Sequence, residues 1–402
     1  MKVKRSCVTV HLLYIKSANV FGREYKLRKE HHVNKRSIGI ILALCLCGVL
    51  LSPATAAADE TVDELTRLYR EYEENFAAIE HVDLENLEDL QNYGYTPIAI
   101  HTHPILFESF GEEEVIFVPV IDNTYHRLAV LIVDNDSGNV IYKTNRLETN
   151  YKWLGRLEQP TKELVSVAFR DLDMDGLTDI ILITDCENSE GEYAGKTYKV
   201  GDVLFQRDGS FYRDWRVSDK LNRFSMNKSA DFITAYVRDG NSTEILYTAT
   251  TLDELLENGF DVIEEQRYYR NFEKQGLLQQ VPGVIHMAEY DVFMIYLVND
   301  QGYIVWSFQP MGDYDNLYAL KGTRCTDLDG DGMKDLLVLG RYSYAGPQNE
   351  LLVDPVCRIY YQRTDGFAED TEFAEVYQCT DKDTVSGLVT RIREYWGWTT
   401  EK

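Results

Sequence analysis

One stretch of the chain occurs twice, and this constrains the fold more than any other feature. Residues 170–182 (RDLDMDGLTDIIL) return as residues 326–338 (TDLDGDGMKDLLV), an offset of 156. Val203 to Gly209 (VLFQRDG) is answered by Ile359 to Gly366 (IYYQRTDG), with one residue inserted. Leu131 to Gly138 (LIVDNDSG) resembles Tyr296 to Gly302 (YLVNDQG) at a larger offset that a loop absorbs. Phe232, Ile233 and Tyr236 match Leu388, Val389 and Ile392, again at 156. Several matches at one offset mark a repeated structural unit. The first repeat is placed at 92–240, the second at 241–396, and 397–402 is a tail.

Within each repeat the pattern is that of strands. Val115 to Val120, Leu128 to Val133, Val140 to Tyr142, Val165 to Phe169 and Ile180 to Thr184 are short β-branched or aromatic runs. Asp-Gly, Ser-Gly and Gln-Gly turns separate them. The 27 tyrosines suit a β-rich chain. A short amphipathic helix is expected to close each repeat, with apolar positions 232, 233 and 236 in one and 385, 388, 389 and 392 in the other. Thr251 to Glu254 reads as a capping box in the connection. The expected class is all-β with short helices; the alternative is two tandem β-rich α+β domains.

The start of the chain reads as an address. Ile38 to Leu51 (IGIILALCLCGVLL) is uncharged and too short for a span of about 20 residues, but suits the apolar core of a signal peptide. Lys35 and Arg36 precede it, and Ala56-Ala57-Ala58 offers a small-x-small cleavage site. Residues 1–58 are therefore read as a leader, with 1–32 longer than such a lead-in requires and attributed to a misplaced start. Residues 59–91 are expected to form an acidic helix: Thr61 and Glu64 make a capping box, and Leu65, Leu68, Tyr72, Phe76 and Ile79 mark one face.

Charge narrows the partners. The whole chain has 41 Lys+Arg against 66 Asp+Glu, a net −25. The leader holds 10 of the basic residues and 2 of the acidic ones, so 31 against 64 remain after it. Such a surface repels nucleic acid and anionic lipid, and attracts cations. Export of this kind implies a secreted or cell-surface location with no stable membrane span after cleavage. Cys186, Cys325, Cys357 and Cys379 remain beyond the leader. Cys357 and Cys379 are the better candidates for a disulfide, and four unpaired thiols are the alternative.

The duplicated segment carries the chemistry. Asp171, Asp173, Asp175 and Asp179 stand at positions 1, 3, 5 and 9 of a loop (171–179), and Asp327, Asp329, Asp331 and Asp335 repeat the spacing at 327–335. Carboxylates at alternate positions of a tight turn converge on one centre, as a calcium ion taking six to eight oxygens requires. Leu177 and Met333, at position 7, would contribute a backbone carbonyl. Gly176 and Gly332 allow the sharp turn. An EF-hand is rejected, because position 12 is Leu182 or Val338 where a bidentate Glu belongs, and strand formers follow the loop. Two Ca2+ sites of strand–loop–strand type are expected.

At these residues the chain resembles the FG-GAP/VCBS repeat family, the calcium-loop repeats of integrin α-chain propellers and many bacterial surface proteins. The resemblance rests on Asp171 to Asp179 and Asp327 to Asp335, each followed by an apolar strand. It implies a β-propeller-like fold with calcium loops between neighbouring strands, and a role in adhesion or ligand binding. The Phe-Gly signature is missing, and a 156-residue repeat far exceeds one blade of about 40–50 residues.

Other chemistry is sparse. There is no Gly-x-Ser-x-Gly, P-loop, Rossmann glycine pattern or His-Glu-x-x-His. His101 and His103 would share one side of a strand, as a zinc or copper pair does, or belong to a polar turn beside Pro104. Tyr342, Tyr344, Tyr360, Tyr361, Tyr395, Trp396 and Trp398 are either core or a stacking surface for sugars or a protein. No catalytic residue is named. The leading function is an exported calcium-binding interaction module with a protein or glycan ligand. The alternatives are a secreted calcium-dependent polysaccharide lyase or hydrolase on the same scaffold, and an envelope protein that docks through its N-terminal helix.

Overall fold

The β-branched and aromatic runs pair locally, each with the next along the chain, because short turns leave antiparallel neighbours as the nearest partners. A computed structural model describes residues 78–150, 161–187, 197–346 and 350–398. Four antiparallel sheets follow one another. Sheet one holds β1 (Tyr95–Pro97), β2 (His103–Ile105), β3 (Val115–Asp122), β4 (Leu128–Asp134) and β5 (Val140–Thr144). Its edge is split: β1 pairs with one end of β3 and β2 with the other. Sheet two is β6 (Thr161–Arg170), β7 (Asp179–Glu187), β8 (Thr197–Arg207) and β9 (Ser210–Tyr212). The turn into β9 carries positive φ at both Asp208 and Gly209, the hairpin geometry that suits strand twist.

Four helices lead onward: α1 (Trp215–Arg223), α2 (Ala230–Val237), α3 (Glu244–Thr248) and α4 (Leu252–Glu257). The Thr251 capping box forms in full at the start of α4. Sheet three is β10 (Phe260–Val262), β11 (Tyr268–Phe272), β12 (Gly276–Met287), β13 (Tyr290–Val298) and β14 (Ile304–Phe308). Sheet four is β15 (Asn316–Thr326), β16 (Asp335–Ala345), β17 (Leu351–Arg363) and β18 (Gly366–Glu369). The chain then forms α5 (Phe373–Val376) and α6 (Val385–Tyr395).

The second pair of sheets repeats the first, strand for strand, including the split edge. The offset is 165 at β1 and β10, 164 at β5 and β14, and 156 at the ends of β6 and β15. One residue of the difference falls in the turn between β4 and β5, and the rest in the connection that follows β5, which is shorter after β14. α2 and α6 are the expected closing helices: Phe232 and Ile233 are buried in one, Leu388 and Ile392 in the other.

Alternation along central strands packs the sheets in series. In β4, Leu128, Val130 and Ile132 face sheet two, while Ala129, Leu131 and Val133 face Ile79, Leu84 and Leu90. In β7, Ile180 and Leu182 face sheet one, while Ile181 and Ile183 join the largest core. That core runs from sheet two through α1–α4 to sheets three and four, so the two halves share it. In β16, Leu336 and Val338 belong to it, while Leu337 and Leu339 face α5 and α6. The chain is thus mostly β, and the stack is covered at both ends, by residues 79–90 on sheet one and by α5–α6 on sheet four. No closed barrel forms among the described residues.

The helix expected over 59–91 needs correction. Residues 59–77 lie outside the described residues, but Ile79–His81 and Leu87–Tyr93 are separate 3-10 turns with extended backbone at Val82. The physical reason is tertiary: burial of Ile79, Leu84 and Leu90 on sheet one sets this segment's path, and Asn86 makes a bridge to Asn139. The leader, residues 1–58, also lies outside the described residues. Among those described, no helix is long and apolar enough to cross a membrane.

Candidate metal centres

Each aspartate loop joins an edge strand to the central strand beside it, β6 to β7 and β15 to β16. Its second residue is the anchor. Leu172 and Leu328 are fully buried, and their amides donate to Oδ2 of Asp179 (2.8 Å) and Asp335 (2.7 Å). The other oxygen of each carboxylate accepts from the amide of Gln206 or Gln362, both at 2.9 Å. The position-9 aspartate therefore ties the loop to its neighbouring strand. Oδ2 of Asp171 accepts from Gly176 N (3.1 Å), and Oδ2 of Asp327 from Gly332 N (3.0 Å). This closes the turn, with Gly176 and Gly332 in the left-handed region at φ 87° and 85°.

Three carboxylates converge in each loop. Asp171, Asp173 and Asp179 each offer an oxygen within 4.8 Å of the others, as do Asp327, Asp329 and Asp335. Asp175 and Asp331 stand outside these groups; their Oδ1 atoms accept from the amides of Leu177 (2.9 Å) and Met333 (2.8 Å). Burial pushes the Asp179 carboxyl up to about 6 and that of Asp335 to about 7; amide hydrogen bonds oppose this, and neighbouring aspartates add to it. Asp173 and Asp331 are also raised, first by burial and then by nearby carboxylates. Asp171 Oδ1 is buried with no hydrogen-bond partner. Clustered carboxylates with an orphaned oxygen fit a hard divalent cation, which takes oxygen ligands and offsets their repulsion. These two aspartate groups can hold metal ions.

A further pair of residues completes the arrangement. Glu108, beside β3, accepts from Thr178 N (2.8 Å), Thr178 Oγ1 (2.9 Å) and Gln206 Nε2 (3.2 Å). Glu273, between β11 and β12, accepts from Lys334 N (2.8 Å), from Lys334 Nζ and from Gln362 Nε2 (3.2 Å). Gln206 also donates to Thr178 O (2.7 Å) and accepts from Ser109 N (2.6 Å). Gln362 does the same with Lys334 O (3.0 Å) and Lys274 N (2.9 Å). Each loop is thereby fastened to the preceding sheet. Burial works against ionisation of Glu273, but the Lys334 hydrogen bonds outweigh it and hold the carboxyl at about 2. The signal for these residues was present as Phe107-Glu108-x-x-Gly111 and Phe272-Glu273-x-x-Gly276, at the offset of 165.

The other candidates resolve differently. His101 donates from Nε2 to Leu164 O (2.8 Å) and lies in a turn, whereas His103 is in β2, so the pair does not share a strand face. Tyr342, Tyr360 and Tyr361 are buried core residues. Tyr395 and Trp396 are partly exposed, with Trp396 Nε1 donating to Tyr361 Oη (2.9 Å). Trp398 lies against Gly330 of the second loop. None of Cys186, Cys325, Cys357 and Cys379 is joined in a disulfide in this structure.

No family model matches the sequence, and no curated protein matches it. Among solved structures, the chain is similar to the exotype rhamnogalacturonan lyase YesX, at 12% identity and a TM-score of 0.20. The match covers 68% of this chain and 48% of that one, so the chain spans about half the lyase's length. A likeness at that score carries no argument about fold or activity.

Proposed function

We propose that this is an exported calcium-binding β protein acting as an interaction module, in which two calcium ions fix loop geometry and perform no chemistry. The observation that carries this reading is the duplicated three-carboxylate group, with Asp171 Oδ1 buried and unpartnered in the first copy. Asp171, Asp173 and Asp179 would hold one ion; Asp327, Asp329 and Asp335 would hold the other. Resemblance to FG-GAP/VCBS loops supports the choice of calcium and a propeller-like ancestry. The apolar stretch at 38–51 supports export, and the acidic surface favours a protein or glycan ligand over nucleic acid.

The test is thermal unfolding with millimolar calcium and with chelator. Saturation at a hundred times the dissociation constant adds about 2.7 kcal/mol per site, enough to raise the midpoint by a few degrees. The rise should vanish in Asp173→Ala/Asp329→Ala. No rise, together with no calcium by elemental analysis, would sink the proposal. Binding on a glycan array without turnover of the bound sugar would assign a glycan as ligand.

A further inference from the structure

The C-terminal helical segment is attached to sheet four at its end and in its middle. At the end, Arg393 of α6 donates to Asp327 O from Nε (3.0 Å) and Nη2 (2.8 Å), holding the backbone of the second aspartate loop. In the middle lies a turn at 377–383 whose shape is set by hydrogen bonds. Asp383 accepts from Tyr377 Oη (2.7 Å), Thr380 N (2.7 Å) and Thr380 Oγ1 (2.9 Å). Asp381 meets Arg341 of β16 at 3.2 Å, and its carbonyl accepts from Lys321 Nζ of β15 at 2.7 Å. Cys379 sits in this turn. Arg341 is paired across the sheet with Pro355 of β17 and Leu339 with Cys357, so the turn carries Cys379 toward the face of β17 that holds Cys357. Both cysteines pack against the apolar cluster that joins sheet four to α5 and α6, and each thiol acts on the ionisation of the other.

We propose that Cys357 and Cys379 form an intrachain disulfide that fastens the C-terminal helical segment to the sheet carrying the second aspartate loop. A disulfide needs two cysteines whose backbones lie close, and packing of both against one apolar cluster, with structure fixed on both flanks, favours that approach. The oxidant is a disulfide, either a low-molecular-weight one or that of a thiol–disulfide oxidoreductase. Cys379 is the attacking group: Cys357 lowers its thiol, whereas Cys357 is itself raised by Cys379 and by burial. The Cys379 thiolate attacks the oxidant, forming a mixed disulfide and releasing one thiol. Cys357 then loses its proton and attacks Cys379 Sγ, releasing the second thiol. Two protein thiols are oxidised, one disulfide is reduced to two thiols, and the protons balance. The proposal stands apart from the metal reading.

The experiment exposes the full folded chain to oxidised glutathione, alkylates remaining thiols and maps unreduced peptides by mass spectrometry. The expected product is one cross-linked peptide joining Cys357 to Cys379, lighter by two hydrogens than its parts and lost on reduction. Cys186, fully buried, should stay a thiol. The oxidised chain should unfold a few degrees higher than the reduced one, and Cys379→Ser should abolish that difference. Recovery of both cysteines as alkylated thiols, a persistent glutathione adduct on Cys379, or linkage of either to another cysteine would overturn the proposal. Should Cys379→Ser fail to fold, the wild-type peptide map decides alone.

Discussion

Arg207 and Arg363 occupy matching places in the two halves, yet their guanidinium groups act differently. Arg363 lies 3.0 Å from Asp329 and 3.3 Å from Asp331, inside the second aspartate loop. Arg207 turns to Asp208, at 3.9 Å. The second loop thus carries a resident positive charge that a metal must displace. On the proposed calcium reading, Arg363→Gln is expected to strengthen binding of the ion at that loop by up to about 1 kcal/mol, roughly five-fold, as read by calorimetry on a chain with Asp173→Ala. Unchanged affinity would mean that the guanidinium leaves freely. A second residue-scale contrast concerns position 4 of the loops. Gly330 takes φ 84° at no steric expense, but Met174 is held at φ 60°, and its side chain is largely exposed. Met174→Gly should relieve left-handed strain and stabilise the fold by up to about 1 kcal/mol after the entropy of glycine is counted. Urea unfolding of the two chains checks this; a loss of stability would show that Met174 makes a contact worth more than its strain.

At the scale of elements, the loops are held by what reaches them from the next sheet. Gln206 is almost fully buried and bonds Ser109 N, Thr178 O and Glu108 at once. Gln206→Ala leaves an amide and a carbonyl without their partners and should cost about 2 kcal/mol in chemical denaturation. Adding Glu108→Ala should then cost less than it does alone, because both belong to one network. Simple additivity would show that they act independently. The strands themselves were legible: β-branched runs at Val115, Leu128 and Ile180 became β3, β4 and β7. Thr251 formed its capping box, since that motif needs only local geometry. Glu108 and Glu273 were not singled out, because their partners lie about 60 to 100 residues away, and only folding reveals such pairings.

For the whole molecule, the joint between halves is a buried lysine. Lys228, just before α2, donates to Tyr314 O (2.9 Å) in the connection between β14 and β15. Lys199 in turn donates to Lys228 O (3.2 Å). Burial pulls the Lys228 ammonium down to about 8, although Asp313 and Asp315 oppose the shift. A lowered lysine binds fewer protons in the folded than in the unfolded chain between about 8 and 10.5. Its contribution to stability therefore rises with pH over that window and is a net penalty below it. The stability of wild type relative to Lys228→Met should climb from pH 8 to pH 10. A flat difference would show that the amine is solvated or already compensated.

The strand pattern, the duplicated aspartate loops and the closing helices were determined by the sequence alone, since they depend on alternation, on carboxylate spacing within nine residues and on periodicity within one helix. Tertiary structure decided what those local signals do not reach. It set residues 79–90 against sheet one in place of a continuous helix, because apolar contacts with β4 outweigh helix propensity there. It also covered the outer faces of sheets one and four, and let one core join both halves. Which faces a chain buries against each other depends on every element at once, and no short segment carries that information.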